Sequence, residues 1–175
     1  YSTGRLWKVT DALDNVTEYG YDGNGNMTWV KNARGYTTSY VYTSDNYLMR
    51  VDYPDGTHEY FGYDADGNRT SWTKADGNVI YYTYDQAGRL TGIDYPPNGG
   101  SADVSFAYDD EGRRTSMTDA TGVSRYYYDQ YPTQNPTYVY KDALVPASYQ
   151  PTGGTERIFK YEYDAVGNRS KMTDP

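Results

Sequence analysis

The chain has 175 residues, a formal net charge of −8, no cysteine and 24 tyrosines. The charge excludes a nucleic-acid backbone or an anionic membrane surface as an expected partner, and the lack of cysteine excludes disulfides and thiolate metal sites. Polar composition of this kind leans toward disorder, but tyrosine returns buriable area while keeping a polar tip on each ring, so a folded chain with a tyrosine core is expected.

From its beginning the chain is punctuated at regular intervals. Gly4-Arg5-Leu6 matches Gly88-Arg89-Leu90 and reads as the tail of a repeat begun upstream, so a segment of a longer protein is expected. Tyr21-Asp22 with Gly25 opens the first complete unit, and Asn32-Ala33-Arg34-Gly35 marks a second turn within it. A weaker copy follows at Tyr42-Thr43 with Asn46, and its second turn is Pro54-Asp55-Gly56. Tyr63-Asp64 with Gly67 and Ala75-Asp76-Gly77-Asn78 form the next unit, then Tyr84-Asp85 with Gly88. Tyr108-Asp109 with Gly112 and Asp119-Ala120-Thr121-Gly122 come later, followed by a degenerate Tyr128-Asp129 and a full Tyr163-Asp164 with Gly167. The tyrosines at 21, 42, 63 and 84 set a period of 21 residues. A fixed period of this size signals a repeat architecture in which each unit buries a face only against its neighbours.

Asp-Gly and Asn-Gly pairs supply the positive φ that tight hairpin turns need. The runs between them are short and rich in Tyr, Thr, Val and Trp, the strand-forming set, and none has helical periodicity. Each repeat is therefore expected to be a strand, a turn, a second strand and a turn into the next. Two residues before each motif tyrosine stand Tyr19, Tyr40, Phe61, Tyr82, Phe106, Tyr126 and Tyr161. Period-two alternation puts both aromatic rows on one sheet face, an aromatic ladder whose cross-strand pairs contribute about 0.2–1 kcal/mol each. Five residues after the turn glycine the chain is apolar (Val9, Val30, Trp72, Ile93 and Met117 among others), and two residues after it Leu6, Met27, Leu48 and Leu90 alternate with Arg69, Arg114 and Arg169. The two positions differ by an odd number, so either a bulge reconciles them or the sheet is lined on both sides.

These motifs, running from Gly4 to Pro175 and interrupted only between Asp129 and Tyr161, resemble the YD-repeat (RHS-repeat) family; Asp66-Gly67-Asn68-Arg69 and Ala165-Val166-Gly167-Asn168-Arg169 are typical of it. The resemblance implies an all-β, curved and spiralling sheet of tandem hairpins, the wall of a shell or tube. In toxin complexes such shells are expected to enclose a toxic domain, and in teneurin-like surface proteins to support adhesion. The self-cleaving aspartate segment of the toxin-associated members has no match in this chain. The resemblance makes this a non-enzymatic scaffold of a secreted bacterial shell, its partners being neighbouring repeats and an enclosed toxin domain. A self-assembling extracellular tube or filament and a glycan-binding surface adhesin are the alternatives.

Other chemistry is weighed against this scaffold. Asp22-Gly23-Asn24-Gly25-Asn26 and Asp64-Ala65-Asp66-Gly67-Asn68 place oxygens at alternate positions as calcium loops do, yet lack the closing glutamate, and the turn role explains them without a metal. No metal site or cofactor is expected. His58, the single histidine, has no cysteine or nucleophile to work with. Trp7, Trp29, Trp72 and exposed tyrosines could stack on sugar rings, but sheet packing accounts for the rows without it. Residues 129–162 depart most from the period and read as an insertion or extended hairpin, with strands at Thr137-Tyr138-Val139-Tyr140 and Arg157-Ile158-Phe159-Lys160-Tyr161.

Overall fold

The computed structural model describes residues 4–95, 103–128, 144–163 and 169–173. The chain falls into two compact units, Tyr1–Tyr82 with Tyr95–Pro97 and Thr83–Asp94 with Asn98–Pro175. In the first lie β1 (Lys8–Thr10), β2 (Val16–Tyr21), β3 (Met27–Lys31), β4 (Thr37–Tyr42), β5 (Leu48–Asp52), β6 (His58–Tyr63), β7 (Arg69–Thr73) and most of β8 (Val79–Tyr84). The second holds β9 (Leu90–Asp94), β10 (Val104–Tyr108), β11 (Arg114–Asp119), β12 (Gly122–Tyr128), β13 (Leu144–Pro151), β14 (Arg157–Tyr163) and β15 (Arg169–Thr173). Within each unit successive strands pair antiparallel in chain order. No helix occurs among the described residues. The protein is an all-β array of tandem hairpins. The expected strand at 137–140 lies outside the described residues, and the one at 157–161 is β14.

The odd spacing noted above is reconciled by a bulge in five of the hairpins. Tyr19 is level with Val30 and Gly20 with Trp29, but Tyr21 is level with Met27, so Thr28 is the extra residue. The same slip occurs between Val41 and Tyr42, Gly62 and Tyr63, Ala107 and Tyr108, and Glu162 and Tyr163. Residues directly opposite across a pair share a face. The bulge therefore carries the residue two after the glycine onto the same face as the residue five after it, together with both aromatic rows. A one-residue slip would otherwise have turned one of those rows outward.

The bulge also frees a carbonyl. β3 and β4 pair only from Trp29–Ser39 to Lys31–Thr37, so the carbonyl of Met27 has no ladder partner on that side. The Tyr42 hydroxyl donates to it at 2.9 Å. The bond recurs along the chain: Tyr21 to the Leu6 carbonyl at 2.9 Å, Tyr63 to Leu48 at 3.0 Å, Tyr108 to Leu90 at 2.8 Å and Tyr128 to Arg114 at 3.0 Å. Five motif tyrosines thus bond a carbonyl of the preceding repeat, and for Tyr42, Tyr63 and Tyr128 that carbonyl lies at an observed bulge. A backbone acceptor removed from water without a partner is costly, and here the sequence repeat itself supplies the donor. Burial raises the pKa of the Tyr42 and Tyr128 phenols, which keeps them protonated as donors.

Little else is buried. Among the described residues only Val51 and Ile80 are buried hydrophobics, at 5% and 7% exposure. Val51 is level with Tyr40 and Glu59, and Ile80 with Trp72. A sheet with so thin a core depends on its cross-repeat bonds. Replacing Tyr42 by Phe is expected to lower stability by about 1 kcal/mol, read as a lower urea midpoint with unchanged slope. An unchanged midpoint would mean that water serves the Met27 carbonyl equally well.

Candidate functional site

The element that recurs along this chain is the Tyr-Asp turn and the contacts it hands to the next repeat. Each turn is a three-residue loop closed by the same two backbone bonds. In the first, Asp22 N–H donates to the Asn26 carbonyl at 3.0 Å and Gly25 N–H to the Asp22 carbonyl at 3.2 Å. The glycine takes positive φ, as at Gly67 with 85°, and Asn46 fills that place in the weak copy with 66°. This is the type I turn with a left-handed third residue that closes three-residue hairpins. The second turns closed by the Asn32–Tyr36, Tyr53–Thr57 and Lys74–Asn78 bonds have the same geometry, whereas Asp119 is level with Gly122 across a two-residue turn.

The motif carboxylate is consumed inside the loop. Asp22 Oδ1 accepts from the N–H groups of Gly25 and Asn26 at 2.8 and 2.9 Å, and Oδ2 accepts from the Asn26 side chain at 2.9 Å. Asp64 accepts from Asp66, Asn68 and the Asn68 amide in the same way. Asp85 accepts from Ala87 and Arg89 backbone and from Arg89 Nε, and Asp109 from Arg113 backbone and Nε. Thr43 does the same work with its hydroxyl, accepting from Tyr47 N–H at 3.1 Å. Carboxylate oxygens turned toward the backbone of their own loop are engaged as turn-formers, and no group of three or more acidic or histidine side chains able to hold a metal occurs among the described residues.

The residue after the turn glycine, part of the sequence motif but given no contact by it, reaches forward one repeat at Arg5, Tyr47, Arg89 and Arg113. Arg89 bonds its own Asp85, donates to the Asp109 carbonyl at 2.9 Å and lies over the Tyr108 ring at 4.9 Å. Arg113 lies over Tyr128 at 4.8 Å and Arg5 over Tyr21 at 5.8 Å, while Tyr47 stacks on Tyr63 at 5.0 Å. Guanidinium or ring on tyrosine, each of these fixes the next motif tyrosine on its far side. In sequence this position alternates between asparagine, as at Asn26 and Asn68, and the longer Arg5, Tyr47, Arg89 and Arg113.

The position two after the glycine lies between successive aromatics of the ladder. Arg69 sits over Phe61 at 5.9 Å and over Tyr82 at 4.8 Å, and Arg114 over Phe106 at 5.8 Å and Tyr126 at 4.8 Å. The ladder aromatics are therefore interleaved with this residue: among the described residues the ladder ring pair within stacking range is Phe61 with Trp72, inside one hairpin, at 6.3 Å. Tyr19 and Tyr40 occupy their places level with Val30 and Val51. Tyr161 and Tyr163 are level with Met172 and Arg169, whereas Asp164 and Gly167 lie outside the described residues. Tyr84, Asp85 and Gly88 end β8 and form its turn.

The opposite face is polar. It carries Glu18 beside Lys31, and a cluster in which Arg50 Nε and Nη2 donate to Asp52 Oδ2 at 3.1 and 2.9 Å while His58 Nδ1 stands 2.6 Å from Asp52 Oδ1. His58 is therefore a member of a surface hydrogen-bonded cluster around Asp52. Of the tryptophans, Trp29 lies across Gly20, Trp72 donates to Glu59 at 3.1 Å and Trp7 is exposed.

Residues 1–28 and 63–101 match the family model described as RHS Repeat. No curated protein matches the chain. Solved structures do: TcdB2-TccC3-TEV, with a TM-score of 0.65, 15% identity and 99% of this chain covered; TcdB2-TccC3 without its hypervariable C-terminal region, at 0.65, 16% and 99%; and the Tc holotoxin pore of Photorhabdus luminescens, at 0.64, 15% and 98%. The chain spans only 11% of the length of each. At these identities the likeness establishes a shared fold, a β-sheet scaffold.

Two outcomes follow from the turn and the interleaved arginines. The hydrogen bond from the Asn26 side chain holds the Asp22 carboxyl below its usual value, Asn68 does so for Asp64, and the Arg89 backbone N–H does so for Asp85. A carboxyl lowered in the folded chain gives stability that is present above its unfolded value and lost as pH falls through the folded one. The melting temperature is expected to hold from neutral pH down to the ordinary carboxylate range and to drop below it, with a shallower acid slope in Asp64→Asn; a flat profile in the wild type would remove the carboxylates from the account. Arg69→Leu, which installs the side chain found at Leu6, Leu48 and Leu90, should change stability by less than about 1.5 kcal/mol, whereas Arg69→Glu should destabilise clearly in the same thermal scan.

Proposed function

This chain carries RHS repeats, and from that premise we propose that it is a stretch of wall in a secreted bacterial shell that encloses or delivers a toxin. The observation that carries the reading is the tyrosine-to-carbonyl bond from one repeat to the one before it, made by Tyr21, Tyr42, Tyr63, Tyr108 and Tyr128. Such a bond adds sheet one hairpin at a time and uses the motif residues for architecture, leaving them no catalytic duty. The likeness in fold to the TcdB2-TccC3 structures supports a toxin-complex setting, and the polar and aromatic sheet faces give a wall two chemically distinct sides. The wall is non-enzymatic in this reading; any chemistry belongs to what it encloses.

The test is electron microscopy of the native full-length protein. Closed particles with internal density are expected. Open tubes with a regular helical repeat would overturn encapsulation and make the same repeat bond the basis of a filament, because a heterologous contact that does not close continues indefinitely.

A further inference from the structure

Tyr47 stands apart from the two roles that the sheet gives its tyrosines. It is neither a motif tyrosine bonded to a carbonyl nor a member of the ladder. It follows the turn residue Asn46, where other repeats carry asparagine or arginine. Its ring stacks on that of Tyr63, with centroids 5.0 Å apart and planes 24° from parallel. Its phenol end reaches over the next turn and fills the space that a Cβ on Gly67 would need. Tyr63 is held from its own end, its hydroxyl donating to the Leu48 carbonyl at 3.0 Å. One phenol of the pair is thus fixed, while the other is 38% exposed and open to a reagent in solution.

Exposure alone would not single out this place. Tyr36, Tyr60, Tyr81 and Tyr127 are more exposed than Tyr47, yet none of them stacks on a second described tyrosine. At Tyr47 an accessible phenol and a phenol partner coincide. They also coincide in the repeat whose own turn is least braced. There Thr43 accepts one bond from its loop, where Asp22 accepts three. A tie from Tyr47 to Tyr63 would join this weak turn to the following repeat.

We propose that Tyr47 and Tyr63 form an oxidative modification site, coupled as dityrosine when hydrogen peroxide acts through a haem peroxidase. Each phenol gives up one electron and its hydroxyl proton. The two radicals then join through a carbon–carbon bond between ring positions next to the oxygens. The hydrogens displaced from those two carbons move to the oxygens and restore both phenols. Peroxide takes up the two electrons and two protons and leaves as two waters. Coupling requires two radicals to meet, so a pair held in contact is favoured over phenols that must diffuse together. Stacked rings have to tilt edge to edge before they bond, and the exposed Tyr47 ring is the one placed to turn. The inference is independent of whether the wall closes.

The experiment exposes the whole chain, in dilute solution, to a haem peroxidase and hydrogen peroxide. The monomer is then isolated and read by dityrosine fluorescence and by peptide mass mapping. A peptide pair joined at Tyr47 and Tyr63, lighter by two hydrogens, is expected as the main intrachain product, at a yield that does not change with protein concentration. Tyr47→Phe, which keeps a ring on Tyr63, should abolish that product with the melting temperature retained. Tyr127→Phe, at a more exposed tyrosine, should leave it unchanged. Oxidation in urea should scatter the links over many tyrosines. The proposal is overturned if the folded monomer carries no Tyr47–Tyr63 link, if its dityrosine survives Tyr47→Phe at the wild-type yield, or if the same preference persists in urea.

Discussion

At five motif tyrosines a phenol hydroxyl donates to a carbonyl of the preceding repeat, and the rest of the molecule is arranged around that bond. A two-stranded hairpin is marginal in water by itself, and this sheet buries only Val51 and Ile80 deeply among its described hydrophobics. Cohesion therefore has to come from contacts that cross from repeat to repeat. The bulge is what makes the phenol necessary: it brings Met27 onto the aromatic face and in doing so leaves its carbonyl beyond the reach of the β3–β4 ladder. One irregularity sorts the side chains and creates the acceptor that ties the repeats together.

Around this bond the side chains are less uniform than the motif suggests, because several chemistries satisfy the same geometry. The place between successive ladder aromatics accepts Leu or Met as apolar filler, or an arginine lying flat on the rings at 4.8 Å, as Arg69 and Arg114 do. The motif aspartate is replaced by Thr43, and the turn glycine by Asn46, without loss of the backbone bonds between Thr43 and Tyr47. What is held constant is a donor, an acceptor or a plane at a given point, and residue identity follows from it only loosely.

This explains what could be read before the structure was known. The period, the hairpin turns and the shared face of the aromatic rows were legible because glycine, aspartate and tyrosine recur at fixed offsets, and each has a narrow conformational or packing reason to do so. The bulge was present in the sequence only as a contradiction between two positions an odd number apart, which periodicity alone could not resolve. The forward reach of Arg5, Tyr47, Arg89 and Arg113 was not legible, since it links residues in different repeats through register.

The direction of the tyrosine bond has a consequence for how such a chain is made. The donor always sits in the later repeat and the acceptor in the earlier one, so a repeat is sealed only when its successor arrives. On a ribosome the successor of a 21-residue unit emerges in about one to four seconds, long after a hairpin has had the microseconds it needs to form. Each unit is thus born with one open carbonyl that waits for the next tyrosine off the ribosome. Folding can then advance with translation, in one direction, with a single unfinished end at any moment.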